Sequence, residues 1–266
     1  MVRLTEAQKQ FYQDNGYILL KNILTKAEVD ELSDEYDAIF KRKNQATLEN
    51  SWVDSIDGLR ETPNTGITVK GVHNLQHHHA VFTKYLMNEN LLDAVEDVMG
   101  SRNIMLHHSK AHFKPPEKGA AYPMHQDYHY FPYEKDSPIA AFLNLDASNP
   151  KNGGLVVYPG SHKLGPLEDV GPKEGDYHFM HKHLYPLEKA TPVIAERGDI
   201  VLFSYLLVHG SPLNTSDRPR RMFLTQFISA DDKQIGYQPT QPSYGLMLRG
   251  VNLHKQAAVE TRFSNQ

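Results

Sequence analysis

His125 and Asp127 stand two positions apart in MHQDYHYFP, residues 124–132. On a strand, positions i and i+2 share a face, so an imidazole nitrogen and a carboxylate oxygen placed this way can reach one metal ion. The pair is the only H-x-D in a chain with fifteen histidines. His209, at the end of the apolar run DIVLFSYLLVH, offers a third donor. Two histidines and one carboxylate form the facial set that holds non-haem Fe(II) and leaves three coordination positions open. In the chemistry built on that set, 2-oxoglutarate takes two of these positions through its C1 carboxylate and C2 keto oxygen, and dioxygen takes the third. The far carboxylate of the cosubstrate then needs a fixed cation, for which arginine's planar fork suits better than lysine. Arg220 follows His209 by eleven positions. Folding HGSPLNTSDRPRR as a hairpin about Asn214 and Thr215 sets His209 opposite Arg220, at the mouth or interior of one barrel. Ser211 is close enough in sequence to add a hydroxyl donor.

Two other readings compete. A barrel that keeps the fold without catalysis has no use for an intact ligand set and its arginine. A zinc hydrolase on the same three side chains, with metal-bound hydroxide as nucleophile, has no use for Arg220 at that spacing.

The elements that must position these residues fall into two halves. The first hundred residues read mainly helical. Thr5 with Gln8 and Thr25 with Glu28 fit the capping box. YILL, 17–20, reads as a short strand between the two helices. The second helix carries the apolar stripe Val29, Leu32, Tyr36, Ile39 and Phe40. Residues 41–66, with Trp52, read as a loop, and NENLLDAVEDVM as a helix closed by Gly100. From residue 103 short apolar runs alternate with turn residues: NIMLHHSKAHF, IAAFLNL, GLVVYPG, TPVIAE, DIVLFSYLLVH and RRMFLTQFIS. This spacing predicts an antiparallel sandwich or barrel over 101–230. A loop and a short helix near 255–261 complete a single domain, 1–266.

HQDYHYFP, NGGLVVYPGSHKLG, RGDIVLF and HGSPLNTSDRPRR, together with the opening LTEAQKQFYQDNGYILLKNIL, resemble in order the motifs of the phytanoyl-CoA dioxygenase family of Fe(II)/2-oxoglutarate oxygenases. The resemblance runs over residues 4–230. It implies a mainly β fold with flanking helices, the double-stranded β-helix or jelly-roll barrel. Iron would be held by His125, Asp127 and His209, and 2-oxoglutarate by Arg220 and Ser211. Lys70 in GITVKGVHNLQ matches a family lysine that contacts the cosubstrate, and Gln126 is a further candidate. The implied reaction is hydroxylation of an unactivated C–H bond of a small organic substrate with dioxygen, yielding succinate and carbon dioxide. Where mammalian members carry a tryptophan on the strand after HQD, this chain has Phe142-Leu143-Asn144, which alters the pocket wall and weakens transfer of an acyl-CoA substrate.

The remaining histidines have plainer readings. HHH, 77–79, suits a solvated loop or helix start, and HKH, 181–183, lacks an accompanying carboxylate and arginine. His107 and His108 should point to opposite faces of one strand, so at most one, taken as His108, reaches the pocket; His112 shares the face of His108. His129 shares the face of Asp127 if the strand continues, which would make it a substrate contact.

Composition narrows the class. A net charge of −4 argues against nucleic acid as the main partner. With no cysteine, disulfides, thiolate nucleophiles and zinc–thiolate sites are excluded. The longest strongly apolar run, 200–208, is far short of the ~20 residues of a spanning helix. MVRLTEAQKQ has no signal-like apolar core and SNQ is no peroxisomal address, so a cytoplasmic location without membrane partners is expected.

Overall fold

The structure is a computed structural model that describes residues 3–45, 71–116, 121–171, 178–236 and 244–252. Lys70, Trp52 and the helix expected over 255–261 lie outside the described residues.

Local chemistry sets the helical flank. Helix α1, Glu6–Asn15, opens on a reciprocal capping box between Thr5 and Gln8 and closes on Gly16 in the left-handed region. Helix α2, Lys26–Gln45, begins with the Thr25–Glu28 pair, in which the Thr25 N–H donates to Glu28 Oε2 at 2.8 Å. It continues through residues 41–45, where the sequence suggested a loop. Helix α3, Ala80–Leu86, starts at His79, whose Nδ1 accepts from the Val81 N–H at 3.2 Å. One of the HHH histidines is therefore a helix cap. Helix α4, Glu89–Met99, runs from the Asn88 cap to Gly100.

Eleven strands are described, in two antiparallel sheets. In chain order they are β1 Tyr17–Leu20, β2 Gly71–His73, β3 Ile104–Lys114, β4 Tyr122–His125, β5 Ile139–Asn144, β6 Val156–Val157, β7 Thr191–Pro192, β8 Ile200–Ser204, β9 His209–Ser211, β10 Arg220–Ser229 and β11 Leu246–Arg249. The larger sheet runs β1-β8-β5-β10-β3-β11, with β2 also paired to β3, and the smaller runs β4-β9-β6-β7. Two such sheets facing each other, with helices on the outer side of the larger, form the jelly-roll expected from the motifs.

Strand alternation sorts the larger sheet's side chains between two cores. On the outer face Phe223 and Phe227 of β10, Ala141 and Leu143 of β5 and Ile200 and Leu202 of β8 pack with Tyr36, Phe82, Tyr85 and Leu92 of the helices. On the inner face Met222, Leu224, Phe142, Val201 and Phe203 meet Val157, Leu155 and Leu207. Every residue of β5 is buried, as a strand covered on both sides requires. Phe223 sits 5.3 Å from the Phe82 ring and 5.1 Å from Tyr85. Phe223→Ala should cost about 3–5 kcal/mol in chemical denaturation, through the cavity left between sheet and helices.

Two expectations are corrected. DIVLFSYLLVH is not one strand ending at His209: it breaks after Ser204, where the Leu207 N–H donates to the Ser204 carbonyl at 2.9 Å, and restarts as β9 in the other sheet. Nor do β9 and β10 form a hairpin. β9 pairs with β4 and β6, and β10 with β3 and β5, so the chain crosses between sheets over 212–219. Prolines at 212 and 219 remove ladder donors. Buried Asn214 donates to the carbonyls of Lys114 and Arg218 and accepts from the Ser216 N–H, holding the crossing as a side-chain-built turn.

Candidate active site

His125 is the last residue of β4 and lies directly opposite His209, the first of β9. Their rings are 4.3 Å apart. Gln126 is extended (φ −112°, ψ 138°), and Asp127 then opens a 3-10 turn, Asp127–His129. The i and i+2 side chains therefore converge as the strand argument required, although the strand itself ends between them. His125 Nε2 is 3.6 Å and His209 Nε2 3.7 Å from Asp127 Oδ1. One ligand atom from each of the three lies within 4.8 Å of the others, the only such group of three or more among the described residues.

The imidazoles are oriented by backbone. His125 Nδ1 lies 2.8 Å from the Pro123 carbonyl and His209 Nδ1 2.9 Å from that of Leu207. A carbonyl accepts, so each Nδ1 carries the proton and each Nε2 presents its lone pair to the centre. Burial alone would raise the Asp127 pKa, but the His209 and His125 rings and a hydrogen bond from Gln226 outweigh it and bring the value to about 2. Burial, followed by the neighbouring His125, lowers His209 to about 4. Two neutral imidazole nitrogens and an ionised carboxylate aimed at one point fit a facial Fe(II) site.

Gln226 was not foreseen. It is buried on β10, and its Nε2 donates to Asp127 Oδ2 at 2.6 Å across the gap between the sheets. That bond leaves Oδ1 facing the histidines. Partners that orient a ligand this way are worth about 10–100-fold in metal affinity. Gln226→Leu should therefore weaken Fe(II) binding by that factor, read by competition with a metal-sensing dye.

The neighbouring arginines Arg220 and Arg221 part at the start of β10. Arg221 turns outward and is saturated: Nε and one terminal nitrogen donate to Asp146 at 3.0 and 2.7 Å, and the other to Asp37 at 2.7 Å and Ser33 at 2.9 Å. Arg220 turns inward and is 4% exposed. Among the described residues its guanidinium approaches Met222 Sδ at 4.0 Å, and its Nε has no partner. No carboxylate among the described residues pairs with it, and burial lowers its pKa to about 10. Ser211, the last residue of β9, is buried, with its Oγ 2.6 Å from Nζ of Lys114, the residue opposite Arg220 on β3.

The remaining candidates separate. The Gln126 amide is committed to backbone: it donates to the carbonyls of Leu206 and Gly165 at 2.6 and 3.0 Å and accepts from the Leu167 N–H at 2.8 Å. It shapes the loop behind the triad and has no hydrogen bond on the pocket side. The strand does not continue to His129, which sits instead in the 3-10 turn. Its ring is 5.6 Å from His178, and its Nε2 is buried without a partner. His107 and His108 do not part to opposite faces. The β3–β10 register slips between Gln226 and Phe227, leaving His107 as the extra residue of a bulge, and its Nδ1 lies 2.6 Å from that of His108. His108 stands opposite Gln226, and its neighbour His107 stacks 4.5 Å from Phe131. His181 pairs with Glu168 at 3.2 Å, outside the ligand group.

Comparison with known proteins agrees with this geometry. The phytanoyl-CoA dioxygenase family model matches residues 12–222. The peroxisomal phytanoyl-CoA dioxygenase of Bos taurus is 30% identical over 246 residues, covering 89% of this chain and 72% of that protein. A probable alpha-ketoglutarate-dependent hypophosphite dioxygenase of Stutzerimonas stutzeri is 26% identical over 84% of this chain and 78% of its own length. Among solved structures, EctD from S. alaskensis with 2-oxoglutarate and 5-hydroxyectoine superposes with a TM-score of 0.71 at 20% identity, covering 94% of this chain and 85% of that one. The superposition speaks for the fold, and the family match extends across both halves of the ligand set. With its histidine–aspartate–histidine centre, the chain belongs to the phytanoyl-CoA dioxygenase family and is an Fe(II)- and 2-oxoglutarate-dependent dioxygenase.

Proposed function

We propose that one catalytic domain, residues 1–266, hydroxylates an unactivated C–H bond of a small organic molecule, with iron held by His125, Asp127 and His209 and 2-oxoglutarate by Arg220 and Ser211. The observation that carries the cosubstrate assignment is Arg220, an inward guanidinium without an acid partner among the described residues, one position from an arginine saturated with acids. A buried cation is costly unless something pairs with it, and a dicarboxylic acid spanning from the metal to this corner supplies the missing charge.

When bound, Fe(II) with 2-oxoglutarate and dioxygen supplies oxidation of the substrate coupled to release of succinate and carbon dioxide. The protein's share is positional. The Pro123 and Leu207 carbonyls fix which nitrogen each histidine offers, and Gln226 fixes which carboxylate oxygen Asp127 turns to the centre. Phe142, 4.8 Å from Phe203 and 6.5 Å from His112, packs on the inner face of the larger sheet.

Relatives named for a phytanoyl-CoA and for a phosphorus oxyanion both match this chain, so the family name alone does not choose the substrate. A cytoplasmic setting, with neither nucleic acid nor membrane as partner, goes with the proposal. The net charge of −4 supports it, and no helix among the described residues is long and apolar enough to cross a membrane. The test is a screen of small organic acids, amines and acyl-CoA thioesters for stimulated succinate release by the Fe(II)-loaded protein. Stimulation that needs oxygen, iron and 2-oxoglutarate together is expected. Turnover that proceeds without oxygen would overturn the proposal.

A further inference from the structure

Lys114 ends β3 directly opposite Arg220 on β10. Residues directly opposite in an antiparallel pair share a face, so the ammonium and the guanidinium enter the same corner of the barrel. Each residue is 4% exposed. Like charges so placed repel, and no acid among the described residues separates them.

The ammonium is nonetheless elaborately held. Nζ donates to Ser211 Oγ at 2.6 Å, to the Pro212 carbonyl at 2.6 Å and to the Gly153 carbonyl at 3.4 Å. It also lies 5.4 Å from the centre of the Tyr122 ring. Burial, and then the facing Arg220, push the Lys114 pKa well down; in the charged form its three donors meet these three acceptors and none is left for a ligand. The backbone is shaped around it: Gly153 has φ +72°, and a Cβ there would lie 2.7 Å from Lys114 Cδ and 2.9 Å from Nζ. This close approach accounts for a glycine in the NGG turn.

The consequence falls on Ser211. A hydroxyl that accepts from an ammonium must send its own hydrogen elsewhere. No acceptor for that hydrogen is found among the described residues, and Lys114 joins Ser211, through its Nζ, to Arg220, its partner across the strand pair. Resting on the reading of Arg220 given above, we infer that Lys114 is a positioning residue: it locks the Ser211 hydroxyl as a donor to the far carboxylate of 2-oxoglutarate without touching that carboxylate itself.

The experiment compares two 2-oxo acids by anaerobic calorimetric titration of the Fe(II)-loaded enzyme. 2-Oxoglutarate carries the far carboxylate and 2-oxobutyrate lacks it. Lys114→Met should raise the Kd of 2-oxoglutarate about tenfold to a hundredfold, the worth of a hydrogen bond to a charged group, and leave that of 2-oxobutyrate within about twofold. Ser211→Ala should do the same. The double variant should be no weaker than Ser211→Ala by more than about twofold, because the lysine acts through the serine. Equal weakening of both acids, or an additive double variant, overturns the inference by making Lys114 a strut for the 212–219 crossing. An unchanged 2-oxoglutarate Kd in Lys114→Met, with Arg220→Leu impaired, overturns it while leaving the Arg220 assignment intact. If Arg220→Leu is also unaffected, the assignment itself fails. Should Lys114→Met not fold, Lys114→Gln is titrated with the same criteria.

Discussion

Asp127→Ala should abolish iron-dependent succinate formation, a loss of about a thousandfold or more, while the protein still folds. Removing a neighbour that merely orients a ligand costs about 10–100-fold, and removing the only anionic donor of the set must cost more. Asp127 also joins the turn after β4 to the larger sheet, accepting from Gln226 Nε2 at 2.6 Å. The variant therefore leaves a buried amide donor unpaired, a penalty of about 1–3 kcal/mol. Circular dichroism should show the folded sandwich, and metal titration should show the loss. Retention of full activity would falsify the ligand assignment. The His125 and His209 rings, 4.3 Å apart, would then have to bind iron without an acid.

Arg220→Leu should leave iron binding intact and raise the 2-oxoglutarate requirement by well over tenfold. Truncating one partner of a buried, hydrogen-bonded charge pair costs about 2–5 kcal/mol, or roughly thirty- to several-thousandfold. Because no acid among the described residues pairs with Arg220, its removal breaks no ion pair among them; leucine relieves a desolvated cation beside Lys114. The expected signature is thus unusual: stability holds or rises in thermal denaturation while cosubstrate affinity collapses. Arg221→Leu is the matching control. It should cost stability, because it strips Asp146, Asp37 and Ser33 of their shared partner, and should leave the 2-oxoglutarate requirement nearly unchanged.

What the chain betrayed before folding was what is encoded within a few residues. The two capping boxes, YILL as a strand and Gly100 as a helix stop rest on neighbours one to four positions apart, and all stand in the structure. The ligand triad was legible because H-x-D is a local spacing and the third histidine closes a conspicuous apolar run. What escaped depends on which strand lies beside which. In RRMFLTQF apolar residues occupy both faces, since helices cover one side and the barrel core the other, so alternation alone does not choose between the two arginines; Arg220 was chosen by its spacing from His209 and by the family motif. Lys114 and Gln226 gain their roles from partners 97 and 99 positions away. The His107 bulge was invisible because alternation assumes an unbroken register. The hairpin failed for the same reason: a turn-rich stretch between two apolar runs suits a strand pair as well as a crossing from one sheet to the other.

That crossing divides the pocket between the two halves of the sandwich. His125 and His209 belong to the smaller sheet, with Asp127 just beyond its edge, while Arg220 and Lys114 belong to the larger. Held as proposed, with iron between the histidines and its far carboxylate on Arg220, 2-oxoglutarate would tie the smaller sheet to the larger.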